Sequence, residues 1–370
     1  MDWDVIVVGS GIGGATAAYF LSKQGCRVGV LEKEKLPRYK ACAGAIPKAA
    51  QHLLPFPLDP VAEAEVTDVI YALRRDKLFE QSLCGNSSIM VNRSTFDSYV
   101  LAQAQVDVLE GTTVTGVEEK EDSVRVRTEG DRSYEARYVI GADGANSRVA
   151  RSLGLRQNKA LGIALEAEVV VSEGVQARYQ QRAFFEFGVL ENGYIWIFPK
   201  SDHLSVGIGA LGKTKDNLLE TLQREMAPLG ISLDGFPWHA HPLPIHLRAE
   251  RLHTSRCLLV GDAAGLVDAF LGEGIRYAML SGRIAAQAIL NDTVSNYSSE
   301  VKTQISDGLR RARFAARIFY RYPDLSFRCV TRNLAFTRAF LELLAGNANY
   351  RDLSHRLPLL FLQSLLARSN

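Results

Sequence analysis

The chain has 370 residues, enough for one large core or two closely joined ones. Apolar residues make up 47% and charged residues 23%, ordinary for a globular protein, and a net charge of +2 argues against nucleic acid as a main partner. Five scattered cysteines (Cys26, Cys42, Cys84, Cys257, Cys329) lack CxxC pairing, which suits a reducing compartment and gives no zinc or iron–sulfur signature. No run approaches the roughly 18 apolar residues that span a bilayer. The first strand opens at about residue 3, so no signal peptide is expected. These features predict a cytoplasmic protein, or one peripheral on a membrane.

The first thirty residues predict a βαβ unit. Val5 to Val8 form one short apolar run, which breaks into Gly9, Gly11 and Gly14 at G-x-G-x-x-G spacing. An Ala-rich helical segment follows and ends at Gly25; a second apolar run, Val28 to Leu31, closes on Glu32. Gly9 permits the tight turn, Gly11 lets the backbone approach a pyrophosphate, and Gly14 lets helix and strand pack closely. The helix N-terminus offers free N–H groups and a positive dipole end to a diphosphate. Glu32 stands where a ribose diol is accepted. The alternative is a glycine-rich turn without a ligand, and a lone G-x-G-x-x-G would not decide between them; the strand, helix, second strand and acid in register favour a dinucleotide.

Beyond Glu32 comes a basic loop with small residues, Lys33 to Pro47, and then short alternating runs from Ala62 to Val91 that read as antiparallel strands. A helical pattern starts at Asn92, with Ser94 or Thr95 as N-cap. Strands return between Asp107 and Gly141, and again from Gly162 to Gly209. A charged helix is expected over Lys213 to Met226, a clean helix near Gly274 to Leu290, and a basic helical stretch from about Ser306.

Two further segments make the dinucleotide reading specific. One is a strand running into Gly141-Ala-Asp143-Gly144 and a basic helix start. The other is a strand ending in Gly261-Asp262, a Gly/Ala-rich loop, and a helix beginning near Gly274. Asp262 can accept a hydrogen bond from a ribityl hydroxyl. The amides of Gly274 and Ile275 can bind the electron-rich pyrimidine edge of an isoalloxazine, favouring its reduced form. Either segment alone is equally an ordinary strand–turn–helix; with the first motif, in this order, they point to FAD.

In this combination the chain resembles the FAD-dependent hydroxylase-like flavoproteins, and most of all the geranylgeranyl reductase family, over roughly residues 3 to 290. Three features carry the narrower likeness. The loop Pro37-Arg-Tyr-Lys40-Ala-Cys42-Ala43-Gly44-Ala45-Ile46 resembles the family's flavin loop, although Ala43 and Ala45 stand where many members have glycine. Tyr194-Ile-Trp196-Ile-Phe198-Pro199, ahead of Gly207-x-Gly209, resembles its aromatic substrate motif. Gly272-Glu273-Gly274-Ile275, followed by Ser281-Gly282-Arg283, is closer to the reductases than to the aromatic hydroxylases, which usually show Gln in place of Glu273.

The resemblance implies an α/β fold: a Rossmann-type FAD-binding domain (1–61, 92–155, 250–300), an inserted antiparallel β-sheet substrate domain (62–91, 156–249) and a C-terminal helical region (301–370). It implies cofactor contacts at Gly9, Gly11, Gly13, Gly14, Glu32, Lys33, Lys40, Cys42, Ala43, Gly44, Ala45, Arg93, Val117, Asp143, Gly144, Asp262, Gly272, Gly274 and Ile275. Arg93 would reach the diphosphate, or else be a surface cation at a helix start; Val117 would lend its backbone to adenine. Cys42, Tyr194, Trp196 and Glu273 are the catalytic candidates, with capping as the alternative for Glu273 and plain core packing for the alternating aromatics. The implied reaction saturates a prenyl lipid from reduced FAD, with NADPH or reduced ferredoxin as electron donor. A hydroperoxyflavin monooxygenase or halogenase is the rival; a halogenase would need a lysine before Arg93, where Lys48 and Lys77 stand without a motif. Proline-broken spacing speaks against metal binding by His239, His241 and His246. The arginines from Arg310 to Arg321 fit either a solvated helix face or a surface resting on anionic lipid, and Pro358 to Leu366 could assist it or close a substrate tunnel.

Overall fold

The computed structural model describes residues 1–157, 160–212, 214–347 and 350; the segment Pro358 to Leu366 lies outside them. The chain divides into two compact units. The first comprises Met1–Lys40, Arg93–Ala160 and Pro244–Arg310; the second comprises Ala41–Asn92, Leu161–Leu243 and the residues from Arg311.

The first unit is built on a seven-stranded sheet. Its central strand, Trp3–Val8, pairs in parallel with Val28–Leu31 on one side and with Ser133–Gly141 on the other. All of Val5, Ile6 and Val7 are fully buried, as expected of a short apolar run with helices on both sides. Asp107–Leu109 extends the sheet beyond Val28–Leu31. Ser133–Gly141 is long enough to serve two partners: Val124–Thr128 runs antiparallel along its first half, and Cys257–Leu259 runs parallel along its last three residues. Two helices, Ile12–Ser22 and Ile275–Leu290, cross closely because Gly282 lacks a side chain; a Cβ there would lie 2.3 Å from the Gly13 carbonyl oxygen. Ser281, beside it, accepts the Gly261 N–H at 2.9 Å. The Ser-Gly pair of the Ser281-Gly282-Arg283 motif therefore fixes a helix crossing and a turn.

The second unit holds a seven-stranded sheet in the order Trp238–Ile245, Ala160–Val169, Leu204–Ala210, Gly193–Pro199, Arg182–Phe187, Asp68–Leu73, Lys77–Ser82. From Ala160–Val169 onward its pairs are antiparallel except where Arg182–Phe187 runs parallel to Asp68–Leu73, a pairing open to strands so far apart in the chain. One face, with Leu165, Ala167, Val169, Ile195, Ile197, Leu204, Val206 and Ile208, forms an aliphatic core with residues of the helices Glu173–Tyr179 and Leu218–Met226. A small sheet pairs Ala45–Ile46 and Ala62–Val66 with Ser88–Val91. That pairing groups residues 41–61 with the second unit, whereas the sequence reading places them with the nucleotide fold.

Other boundaries also differ. The helix expected from Lys213 runs over Leu218–Met226, because the Asn217 side chain caps it by accepting the Glu220 N–H. The helix Arg93–Ala102 starts early enough that Ser94 and Thr95 sit inside its first turn. The C-terminal stretch forms Asp307–Arg321, Pro323–Arg332 and Leu334–Leu344. From Arg311 on it belongs to the second unit, not to a region of its own. Among the described residues, no helix is long and apolar enough to cross a membrane.

Candidate functional site

In the first unit the glycine turn is shaped by contact. Gly9 has φ +97°, and a Cβ there would sit 2.6 Å from the Ala142 carbonyl oxygen; one at Gly14 would sit 2.1 Å from the Gly9 carbonyl oxygen. Gly11 is the N-cap of Ile12–Ser22, and no side chain caps this helix end. Its first N–H groups and its positive dipole end are thus open to an anion. Gly13 faces the helix Ile275–Leu290, so its missing side chain serves packing.

Glu32 ends its strand almost fully buried. One carboxylate oxygen accepts the Ser10 hydroxyl and amide at 2.6 and 2.9 Å, and the other accepts the Glu34 amide at 3.0 Å. Burial pushes its pKa up, but these hydrogen bonds and Arg38, 3.4 Å away, outweigh that and hold the carboxyl below its ordinary range. The ionised group keeps lone pairs for a diol. Arg38 also reaches Asp97 at 3.6 Å, and Asp97 holds Arg93 through two hydrogen bonds of 2.8 Å. Arg93 is a buried, fork-paired group here, not a surface cation. Arg38 and Asp97 were not singled out in the sequence; Arg38 lies inside the quoted basic loop, and Asp97 is legible only as the i+4 partner of Arg93.

Asp262 and Lys40, far apart in the chain, meet at 3.3 Å. Arg156, buried with φ +47°, donates to the carbonyls of Asp262 and Ala263 and so braces the turn from below. Gly272 has φ +69°, and Gly274 is the N-cap of Ile275–Leu290, again without a side-chain cap. Glu273 is partly exposed as a residue, with its carboxylate 2.9 Å from Arg276; burial of that carboxylate raises its pKa, against the charge of Arg276. Asp143 accepts from the Ser147 hydroxyl and the amides of Arg148 and Val149, so it caps a short helix, while Gly144 takes φ +78° beside it. The Val117 amide donates to Ser152 at 3.2 Å. Lys33 is exposed beside Glu34. The open helix ends, Glu32 and Asp262 fit FAD: Ile12 and its neighbours would take the diphosphate, Glu32 the ribose, Asp262 the ribityl chain, and the amides of Gly274 and Ile275 the pyrimidine edge.

In the second unit the loop carrying Cys42 and Ala43 is held at Gly44. Its φ is +73°, its carbonyl accepts the Val91 amide at 2.9 Å, and a Cβ there would lie 2.0 Å from the Val91 carbonyl oxygen. Ala45 then enters the small sheet opposite Met90. Lys200, which follows the aromatic motif directly, is buried and donates to that same Val91 carbonyl at 2.6 Å. Burial pulls its pKa down; Glu63, Glu166, Cys42 and Glu168 act against that. Sequence reading passed over Lys200.

Tyr194, Trp196 and Phe198 share a face, as their alternation predicts. Phe185, Phe187 and Tyr71 join it, and Phe319, Tyr320 and Phe340 pack onto it from the C-terminal helices. Part of this stripe is therefore core. Gly207 lies opposite Trp196, and a Cβ there would be 2.1 Å from the indole and 2.5 Å from the Leu165 carbonyl oxygen. The space at Gly207 is taken by Trp196 itself. The indole N–H donates to the Ser205 hydroxyl at 3.3 Å, and Ser205 donates to Glu166 at 2.7 Å. Burial raises the pKa of Glu166, against the Ser205 hydrogen bond and the charge of Lys200. Of the other candidates, Lys77 is half-exposed and tied to Asp324 at 2.9 Å, and Lys48 opens a four-residue helix. Among the described residues, no three His, Cys, Asp or Glu are placed to hold a metal ion.

Comparison with known proteins extends this picture. Residues 90–289 match the FAD binding domain family, and residues 3–163 match the pyridine nucleotide-disulphide oxidoreductase family. The chain is 31% identical to a chloroplastic geranylgeranyl diphosphate reductase of Oryza sativa subsp. japonica, covering 93% of this chain and 78% of the relative. It is 30% identical to digeranylgeranylglycerophospholipid reductase 1 of Methanopyrus kandleri, covering 95% and 99%. A geranylgeranyl bacteriochlorophyll reductase-like protein of Thermoplasma acidophilum has the same fold, with a TM-score of 0.80 at 22% identity over 97% of this chain and 99% of that one. The halogenase PltM shares the fold at a TM-score of 0.74 and 18% identity, covering 96% and 84%. The chain belongs to the geranylgeranyl reductase family of FAD-dependent oxidoreductases.

Proposed function

We propose that the protein saturates carbon–carbon double bonds of a polyprenyl chain, drawing electrons from NADPH or reduced ferredoxin. The relatives named as reductases of geranylgeranyl diphosphate and of a digeranylgeranyl glycerophospholipid support a prenyl substrate. On this chain the reading is carried by one observation: the aromatic face has a buried line of hydrogen bonds from Trp196 through Ser205 to Glu166. Bound FAD supplies the hydride in this chemistry. An unactivated alkene is a poor hydride acceptor, so positioning and exclusion of water must lower the barrier. Tyr194 and Trp196 offer apolar surface for an isoprene unit. Burial raises the pKa of Glu166 and so favours its protonated form; with the Ser205 hydroxyl turned toward the substrate, that carboxyl would replace the proton Ser205 gives to the second carbon.

The test uses purified protein with its visible spectrum recorded first. Anaerobic reduction with dithionite in the presence of geranylgeranyl diphosphate should give products heavier by two hydrogens per reduced bond. Bound flavin with no such product would overturn the reading, and an oxygenated product formed with NADPH and air would turn it toward a monooxygenase. Repeating the turnover with NADPH and with reduced ferredoxin identifies the donor.

A further inference from the structure

The helix Asp307–Arg321 is loaded with charge of one sign. Between Gly308 and Pro323 the chain has five arginines and no acid. Its inner face, with Leu309, Ala312, Ala316, Phe319 and Tyr320, is buried. Its outer face is a stripe at helical spacing: Arg310, Phe314, Arg317, Ile318, Arg321 and Tyr322. Tyr322 follows the last helical residue directly, its amide still donating to the Ile318 carbonyl. Phe314 is 65% exposed, Tyr322 55% and Ile318 37%, so large apolar side chains stand in water between the arginines.

Two features make this more than a solvated face. Like charges four residues apart repel on a helix, and Arg313, Arg317 and Arg321 follow at that spacing. Arg313 feels it: burial and then the charge of Arg317 disfavour its charged form. Nearby acids relieve only the first arginine of the outer stripe. Asp307 faces Arg310 at 3.5 Å, and Asp324 is held by Arg74 and Lys77. Among the described residues, no carboxylate pairs with Arg317 or Arg321. The missing counter-charge selects the partner. A second copy of this helix brings the same arginines and would be repelled. A lipid headgroup layer supplies anions for the arginines and an apolar margin for Phe314, Ile318 and Tyr322 at the same depth.

We propose that this helix face docks the protein on an anionic lipid surface. The assignment stands apart from the reaction proposed above, because lipid binding is read without turnover. Full-length, flavin-loaded protein should co-sediment with vesicles of phosphatidylcholine mixed with phosphatidylglycerol. It should not do so with pure phosphatidylcholine, and raised salt should weaken the binding. The triple variant Arg310→Gln/Arg317→Gln/Arg321→Gln should lower the partition coefficient about a hundredfold, since each arginine near such a surface is worth about 1 kcal/mol, or about fivefold. Phe314→Ser should lower it about tenfold. A charge-matched variant elsewhere, on the strand Val124–Thr128 and the turn after it, Arg125→Gln/Arg127→Gln/Arg132→Gln, should bind as the wild type does. Flavin absorbance and melting temperature report folding of each variant. Wild-type protein that ignores anionic vesicles at low salt overturns the proposal, as does a triple variant that binds unchanged. Retention on polyglutamate resin without vesicle binding would assign the face to an acidic protein instead.

Discussion

Along Gly193–Pro199, Ile195 and Ile197 point to one face of the sheet and Tyr194, Trp196 and Phe198 to the other. The neighbouring strands divide in the same way. Leu204, Val206 and Ile208 join the isoleucines, while Ser205, Gly207 and Gly209 join the aromatics; on the next strand Leu165 and Ala167 stand against Glu166 and Glu168. The first face is made of residues that have no chemistry to offer and is closed by two helices. The second combines aromatic rings with a buried acid, a hydroxyl and glycines that bring backbone and ring together. Burial alone does not separate the two, since both are nearly dry. Residue type does: buried polar groups are costly unless they are satisfied, and a line of them in one face marks where the fold has given up apolar packing for another purpose.

If the aliphatic face is pure support, removing volume there should cost stability and little else. Ile197 is fully buried, and Ile197→Ala should lower the unfolding free energy by about 3 to 4 kcal/mol. Urea unfolding measures the loss, and turnover per folded molecule should stay near the wild-type value. A variant that unfolds like the wild type yet turns over slowly would erase the distinction between the faces.

The same face has one exception at its end. Glu186 is fully buried between Phe185 and Phe187, and its pKa is raised to about 7 by burial first and the charge of Glu225 next, with Arg75 opposing both. The folded state therefore binds this proton more tightly than the unfolded chain does. Its contribution to stability is complete below the unfolded carboxylate pKa and is lost as pH rises through about 7. Glu186→Gln removes that titration. Between about pH 5 and about pH 8 the wild type should lose up to roughly 3 kcal/mol relative to the variant. Parallel stability curves would mean that Glu186 ionises in the fold without cost.

Much of the nucleotide fold could be read before the structure, because its signals are local. Gly9 and Gly14 are needed by contacts within one turn, and Glu32 closes a strand a fixed distance on. The aromatic face was legible as a period-2 pattern. Its meaning was not, because only the strand register shows that Gly207 stands opposite Trp196 and is filled by its ring. Arg38, Asp97 and Lys200 were missed for a related reason. Each acts through a partner brought near by folding, and a lysine after a proline has no spacing rule that announces a buried hydrogen bond to Val91. Asp143 shows a second role that its motif does not announce, since its oxygens also cap a short helix.

On the mixed face the effect should fall on the reaction. Glu166→Gln keeps the volume and a hydrogen-bond acceptor for Ser205 but removes the titrating proton. Turnover should fall about hundredfold with flavin absorbance unchanged, the scale of a lost general acid. Because burial raises the Glu166 pKa, wild-type turnover should decline as pH climbs through that raised value, and the variant should lack that limb. A variant with wild-type turnover and an unaltered pH profile would reduce the Trp196–Ser205–Glu166 line to structure.

Trp196→Phe asks the narrowest question about this face. Phenylalanine retains an aromatic ring beside Tyr194 and gives up only the indole N–H and the outer part of the ring system over Gly207. The lost contact is one neutral hydrogen bond of 3.3 Å, worth about 1 kcal/mol. If its use is to hold the Ser205 hydroxyl toward Glu166, turnover should drop about fivefold while KM stays near its wild-type value. Replacement by alanine would also remove the apolar wall and should raise KM for the prenyl substrate. A phenylalanine variant that loses substrate affinity and keeps its turnover would reverse the assignment: the indole would then be part of the wall, and the hydrogen bond a means of keeping it in place.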